Sequence, residues 1–89
     1  MEIAYFPKAK EDLSFWSKSG NKHIQKKVLA LIEDIKRTPF EGLGQPESLK
    51  YGLSGMWSRR IDKEHRIVYS VNEDANIIFI HSLKGHYIK

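Results

Sequence analysis

Apolar residues recur at helical spacing between Lys22 and Arg37. Ile24, Val28, Leu31, Ile32 and Ile35 follow one another at intervals of 4, 3, 1 and 3, a single stripe on a helix of 3.6 residues per turn. Ser19-Gly20-Asn21 separates that helix from an earlier one, expected over about Lys8 to Lys18, with Leu13, Phe15 and Trp16 as its apolar positions. Thr38-Pro39 ends the second helix, because a residue before proline avoids the helical region. Ile3 and Tyr5 open the chain as a short strand, which Pro7 stops. Phe40 to Leu53, with several glycines and a proline, reads as a loop with room for one short turn of helix. Three strands follow at about Met56–Asp62, Arg66–Val71 and Ile77–Ser82, joined by the short polar turns Lys63-Glu64-His65 and Asn72-Glu73-Asp74-Ala75. Links this short force antiparallel pairing. The expected architecture is α+β in the order β-α-α-β-β-β: a two-helix layer packed on a four-stranded antiparallel sheet, with the other sheet face open. Residues 1–89 form one domain in this reading.

Alternation sorts the strand residues into faces. Ile67, Tyr69 and Val71 make the better core face, so Arg66, Val68 and Ser70 should look out on the open side. In the preceding strand Trp57, Arg59 and Ile61 oppose Met56, Ser58 and Arg60. The hairpin thus gathers Arg59, Arg60 and Arg66 beside Trp57 and Tyr69. Guanidinium forks suit phosphate oxygens and aromatic faces suit unpaired bases, so this combination points to RNA. The plainer reading is that Arg59 and Arg60 are solvated strand charges that discourage edge pairing, and that Trp57 is a core residue. Glu47 in its loop and His86 near the terminus would, on their own, be ordinary solvated residues. His65 falls in a hairpin turn and reads as a turn or packing residue, while His23 and His81 read as structural or solvent-facing. Gly42-x-Gly44 lacks the strand–loop–helix context of a phosphate loop and reads as a turn.

Composition narrows the class. An apolar fraction of 40% in 89 residues supports one core without staples, and the absence of cysteine removes disulfides and thiolate metal sites. The four histidines are scattered, so no metal or other cofactor is expected. No run approaches a membrane span, and the first residues lack a signal peptide's pattern, which points to the cytoplasm. A net charge of +4 favours a polyanionic partner.

Several separated motifs carry a resemblance. They are Arg37-Thr38-Pro39-Phe40-Glu41-Gly42, Pro46-Glu47 with Leu49-Lys50, and Leu53-Ser54-Gly55 with Trp57-Ser58-Arg59-Arg60-Ile61. Glu64-His65-Arg66 with Val68-Tyr69, and His86-Tyr87, complete the set. In this order they resemble the YoeB/Txe-type toxins of the RelE superfamily, ribosome-dependent mRNA endoribonucleases of toxin–antitoxin pairs. The resemblance implies Glu47 as general base, Arg66 as phosphate stabiliser, and His86 as general acid, with Tyr87 positioning the substrate. Lys50 and Arg60 match further basic positions on the phosphate or RNA backbone, and Arg59 joins them as a candidate through the hairpin pattern. It further implies a cognate acidic antitoxin, the ribosome and mRNA as partners, and is compatible with a homodimer. In that family the His-Tyr pair often closes the chain; here Ile88 and Lys89 follow. The alternative kept beside it is a non-catalytic RNA- or ribosome-binding module, or an inactive toxin relative acting in repression.

Overall fold

The stripe on the second helix is the floor of the core. Helix α2 (Lys22–Arg37) buries Ile24, Val28, Leu31, Ile32 and Ile35 against the sheet. Each such side chain contributes about 1.5–3 kcal/mol on leaving water. Truncating the fully buried Leu31 to alanine would cost about 2–5 kcal/mol. Asn21 caps the helix, its side-chain oxygen accepting the Ile24 N–H at 3.1 Å. In this computed structural model, which describes residues 1–50, 53 and 55–85, helix α1 spans Pro7–Ser19 and begins with proline in its first turn. It ends at Gly20, whose φ of +75° is the left-handed conformation that closes a helix. Ala9 and Trp16 join the core, and Leu13 packs against it. Phe15, an apolar position of α1, stays 47% exposed, with the Lys84 ammonium 4.0 Å from its ring centre.

The strands are β1 (Glu2–Tyr5), β2 (Glu47–Ser48), β3 (Met56–Arg60), β4 (Arg66–Asn72) and β5 (Ile77–Ser82). They form one sheet in the order β1-β5-β4-β3-β2. The expectation of four antiparallel strands is corrected twice. β1 lies parallel to β5, and a fifth, two-residue strand, β2, pairs with β3. The short-link rule governs β3, β4 and β5, which are antiparallel as expected. It says nothing about β1 and β5, because both helices and three strands separate them in the chain. No helix among the described residues is long and apolar enough to cross a membrane.

Both helices cover one face of the sheet, where Ile67, Tyr69, Ile78 and Ile80 are fully buried. Register partners share a face, which places Glu47, Ser58 and Val68 in one row on the opposite side. Arg60 and Arg66 form the next row along the same side.

Candidate active site

Arg59 lies on the helix-covered side, where its neighbours in the alternation, Trp57 and Ile61, are half-buried and buried. Its guanidinium is 0% exposed. All five of its N–H donors have acceptors. Nε donates to the Tyr69 hydroxyl at 3.1 Å, and one terminal nitrogen to Asp34 Oδ2 at 2.5 Å and to the Leu43 carbonyl at 3.1 Å. The other donates to the carbonyls of Thr38 and, at 2.9 Å, Glu41. Tyr69 in turn donates to the Pro39 carbonyl at 2.7 Å. The expectation that Arg59 holds phosphate is therefore corrected: none of its donors remains for a ligand. Tyr69 is fully buried, so it is not a face for stacking bases. Trp57 packs against Phe40, ring centres 5.1 Å apart, and supports the same loop.

Asp34 completes that network. The N–H of Leu43 and then the Arg59 guanidinium hold its carboxyl below the usual carboxylate range, against the opposing effect of burial. Arg37 reaches its other oxygen at 2.8 Å from the surface. The loop closes over this pair so tightly that side chains are excluded. A Cβ on Gly42, at φ +118°, would stand 2.2 Å from Asp34 Oδ2; one on Gly44, at φ +79°, would stand 2.9 Å from Leu31. The Gly44 carbonyl accepts the Arg60 N–H at 2.7 Å. Buried Arg59 and Asp34 thus mould the loop that leads into β2 and Glu47.

On the open face Glu47 is exposed and sits opposite Ser58 of β3. Arg60 stands two residues further along β3, directly opposite Arg66 of β4. Glu47 and Arg66 are two strand spacings apart sideways and two residues apart along the strands, roughly 12 Å between backbones. Like charges directly opposite one another destabilise a sheet. Among the described residues neither Arg60 nor Arg66 has a carboxylate within salt-bridge distance. Among the described residues the Arg66 side chain donates only to backbone, to the carbonyls of Asp62 at 3.2 Å and His65 at 3.5 Å. Lys50 is exposed just beyond β2. His86 and Tyr87 lie outside the described residues.

The turn between β3 and β4 is closed by Asp62, whose Oδ1 accepts the N–H groups of Glu64 and His65, each at 2.8 Å. Burial works to raise its pKa, but these two bonds prevail and hold it below the ordinary value. His65 lies edge-on to Trp16, ring centres 4.9 Å apart, as a packing residue would. It does more than pack: its Nδ1 accepts the Gly85 N–H at 2.8 Å. His81 is half-buried between Phe6 and Ser70, whose hydroxyl lies 2.9 Å from Nε2, and burial lowers its pKa. Among the described residues no group of three or more histidines and carboxylates is placed to hold a metal.

Three functionally placed residues were not singled out from the sequence: Asp34, Asp12 and Trp16. A signal existed for the first two. Asp34 lies between Leu31 and Ile35 on the apolar side of α2, and Asp12 lies between Ala9 and Trp16 on that of α1. A carboxylate in such a position demands a buried partner.

The comparisons with known proteins bear on the family and the fold. The family model described as a YoeB-like toxin of bacterial type II toxin–antitoxin systems matches residues 5–87. Toxin YoeB of Escherichia coli strain K12 is 45% identical over 87 residues, covering 98% of this chain and 100% of its own. The solved YoeB/ParE toxin from Agrobacterium tumefaciens superposes with a TM-score of 0.91 at 38% identity, over 98% of this chain and 100% of its own. The Staphylococcus aureus YoeB has been solved with YefM, at a TM-score of 0.85 and 43% identity over 98% of both chains. It has also been solved as a dimer, at 0.86 and 42% over the same shares.

Proposed function

Because the chain belongs to the YoeB-like toxin family of bacterial type II toxin–antitoxin systems, we propose that it is a cytoplasmic, ribosome-dependent mRNA endoribonuclease that blocks translation. The observation that carries this reading is the open-face row of Arg60 opposite Arg66, with Glu47 on the neighbouring strand in the next row and no carboxylate bridging the two cations among the described residues. Two guanidinium groups held side by side at an electrostatic cost suit a phosphodiester.

The reaction uses the RNA's own 2′-hydroxyl as nucleophile. Glu47 takes its proton as the oxygen attacks phosphorus. The bond to the 5′-oxygen breaks, and His86 protonates that leaving oxygen. Arg66, with Arg60 beside it, holds the charge that builds on the non-bridging oxygens, and no metal enters the step. The products are a 2′,3′-cyclic phosphate and a 5′-hydroxyl. Acid and base each contribute about 10²–10⁴ in rate, and a positioned charge about 10²–10³. Tyr87 positions the substrate, and Lys50 contacts its backbone.

The partner implied is an acidic antitoxin that covers the basic face, a reading supported by the YefM complex of the S. aureus relative. The dimer of that relative supports a homodimer here. The test is to add the purified protein to programmed ribosomes and map the mRNA 3′ ends. Cleavage in the A-site codon is expected, and a 2′-deoxy sugar at the scissile position should abolish it. Cutting of the deoxy substrate would overturn the mechanism.

A further inference from the structure

The segment after β5 runs without regular structure, yet the backbone polar groups of Leu83 and Gly85 are taken up one by one. The Leu83 N–H donates to Asp12 Oδ2 at 2.8 Å, and the Leu83 carbonyl accepts the Trp16 indole N–H at 2.9 Å. The Gly85 N–H donates to His65 Nδ1 at 2.8 Å, and the Gly85 carbonyl accepts the Arg66 N–H at 3.0 Å. The Leu83 side chain is fully buried between these anchors. Asp12 and Trp16 belong to α1, His65 to the β3–β4 turn and Arg66 to the first position of β4. Three parts of the fold therefore converge on three residues of chain.

The last bond is the informative one. The Gly85 carbonyl is half of the peptide group that joins Gly85 to His86, and it is bonded to the backbone of Arg66 itself. Holding that carbonyl fixes Gly85 against the first residue of β4. On the other side of Gly85, only a ring nitrogen without hydrogen can accept the N–H, so His65 must carry its proton on Nε2. Edge contact with Trp16 fixes the ring plane that aims Nδ1.

We propose that His65 is a positioning residue. With Asp12 and Trp16 it clamps Leu83–Gly85 and holds the Gly85 carbonyl on the backbone of Arg66, which fixes the end of the segment that precedes the general acid. The proposal rests on the assignment of His86 as general acid made above. Reaction geometry tolerates little error, since a misplacement of about 1 Å can cost on the order of 10²-fold in rate.

The experiment compares His65→Leu, which keeps bulk but offers no acceptor, with His65→Asn, whose side-chain oxygen lies near the place of Nδ1. Amide hydrogen exchange of Gly85, read by NMR on the free protein, reports the clamp without reference to activity. Leucine should release that amide, and asparagine should keep most of its protection. On programmed ribosomes the leucine variant should lose roughly 10–100-fold in kcat with little change in KM, and asparagine should recover much of it. A message with sulfur in place of the 5′-oxygen needs no acid to expel its leaving group. On that substrate His65→Leu and His86→Gln should both come within a few-fold of the parent, while Glu47→Ala stays slow.

Each failure points to a different error. Undisturbed protection of Gly85 in the leucine variant overturns the clamp. Released Gly85 with unchanged cleavage overturns the positioning role and leaves Glu47 and Arg66 where they were. An equal loss on the oxygen and sulfur substrates means that His65 supports the fold generally, which also overturns it. If the parent protein cleaves neither RNA, the proposed function itself fails, and with it any catalytic role for the clamp.

Discussion

Two irregular stretches flank the open face, and they are held by different means. The loop from Thr38 to Gly44 is wound around one fully buried cation: Arg59 takes the carbonyls of Thr38, Glu41 and Leu43, while Asp34 neutralises it and takes the Leu43 N–H. The segment Leu83–Gly85 is held by separate side chains from α1 and the β3–β4 turn, one backbone group each. In the first case the ion pair and all three carbonyl bonds share one buried charge, so the loss of Arg59 removes them together and, of these bonds, leaves only that of the Leu43 N–H to Asp34. In the second, each bond can be lost alone. The first stretch leads to Glu47, on a rigid base; the second leads to His86, on a set of smaller, independent anchors.

The comparison breaks most sharply at Arg59. Arg59→Met should cost about 3–5 kcal/mol, because it removes the buried cation paired with Asp34 and leaves three inward carbonyls without that donor. Urea unfolding measures it, and a loss below about 1 kcal/mol would show that water replaces the guanidinium. Arg59→Lys should recover only part, since one ammonium cannot span the same set of acceptors.

Next come the exposed groups, which should separate activity from stability. Glu47→Ala and Arg66→Ala should each reduce cleavage by roughly 10²-fold or more, equivalent to about 2.7 kcal/mol of barrier, with the unfolding midpoint little moved. Arg66→Lys should restore part, lacking the bidentate fork. Full activity in the Glu47 variant would remove it from the role of base.

Gly44→Ala should cost about 1–3 kcal/mol through contact with Leu31 and the backbone of β3, and thermal unfolding reads it directly. The matching change on the other stretch, Trp16→Phe, removes one hydrogen bond to Leu83 and should leave the loop untouched. Exchange of the Leu43 amide should therefore stay slow in that variant. Rapid exchange there would mean that the two stretches are coupled.

The smallest effect is in the acid range. Asp34 has a folded pKa below its ordinary value of 3.8, so the folded state binds its proton less readily than the unfolded one. Its contribution is complete above about pH 4 and is lost as the pH falls through the depressed folded pKa. Asp62 acts with the same sign. Asp34→Asn should therefore flatten, without abolishing, the decline in stability below about pH 4. An unchanged slope would deny Asp34 this role.

Much of the frame was legible before any coordinates. The stripe from Ile24 to Ile35, the breaks at Gly20 and Pro39, and the short polar turns all act within a few residues, and the structure follows them. The placement of Arg59 was half legible. Alternation set it beside Trp57 and Ile61, on what proved to be the helix-covered side, but its charge suggested solvent or phosphate. Asp34 resolves that conflict, 25 residues away on α2. The same distance in sequence hid β1, whose parallel place beside β5 no local turn could announce.

By itself, then, the sequence determined the local elements, the alternation that sends Arg66 outward and sets Arg59 and Arg60 on opposite faces, and the motif order that marks the family. Those depend on backbone sterics, side-chain period and residue identity, all of which are local. Only the tertiary structure decided which arginine is buried, which edge β1 joins, and that His65 reaches the chain just before His86. These depend on pairs of residues brought together by packing, and the free energy of such a pair exists only once the chain has folded around it.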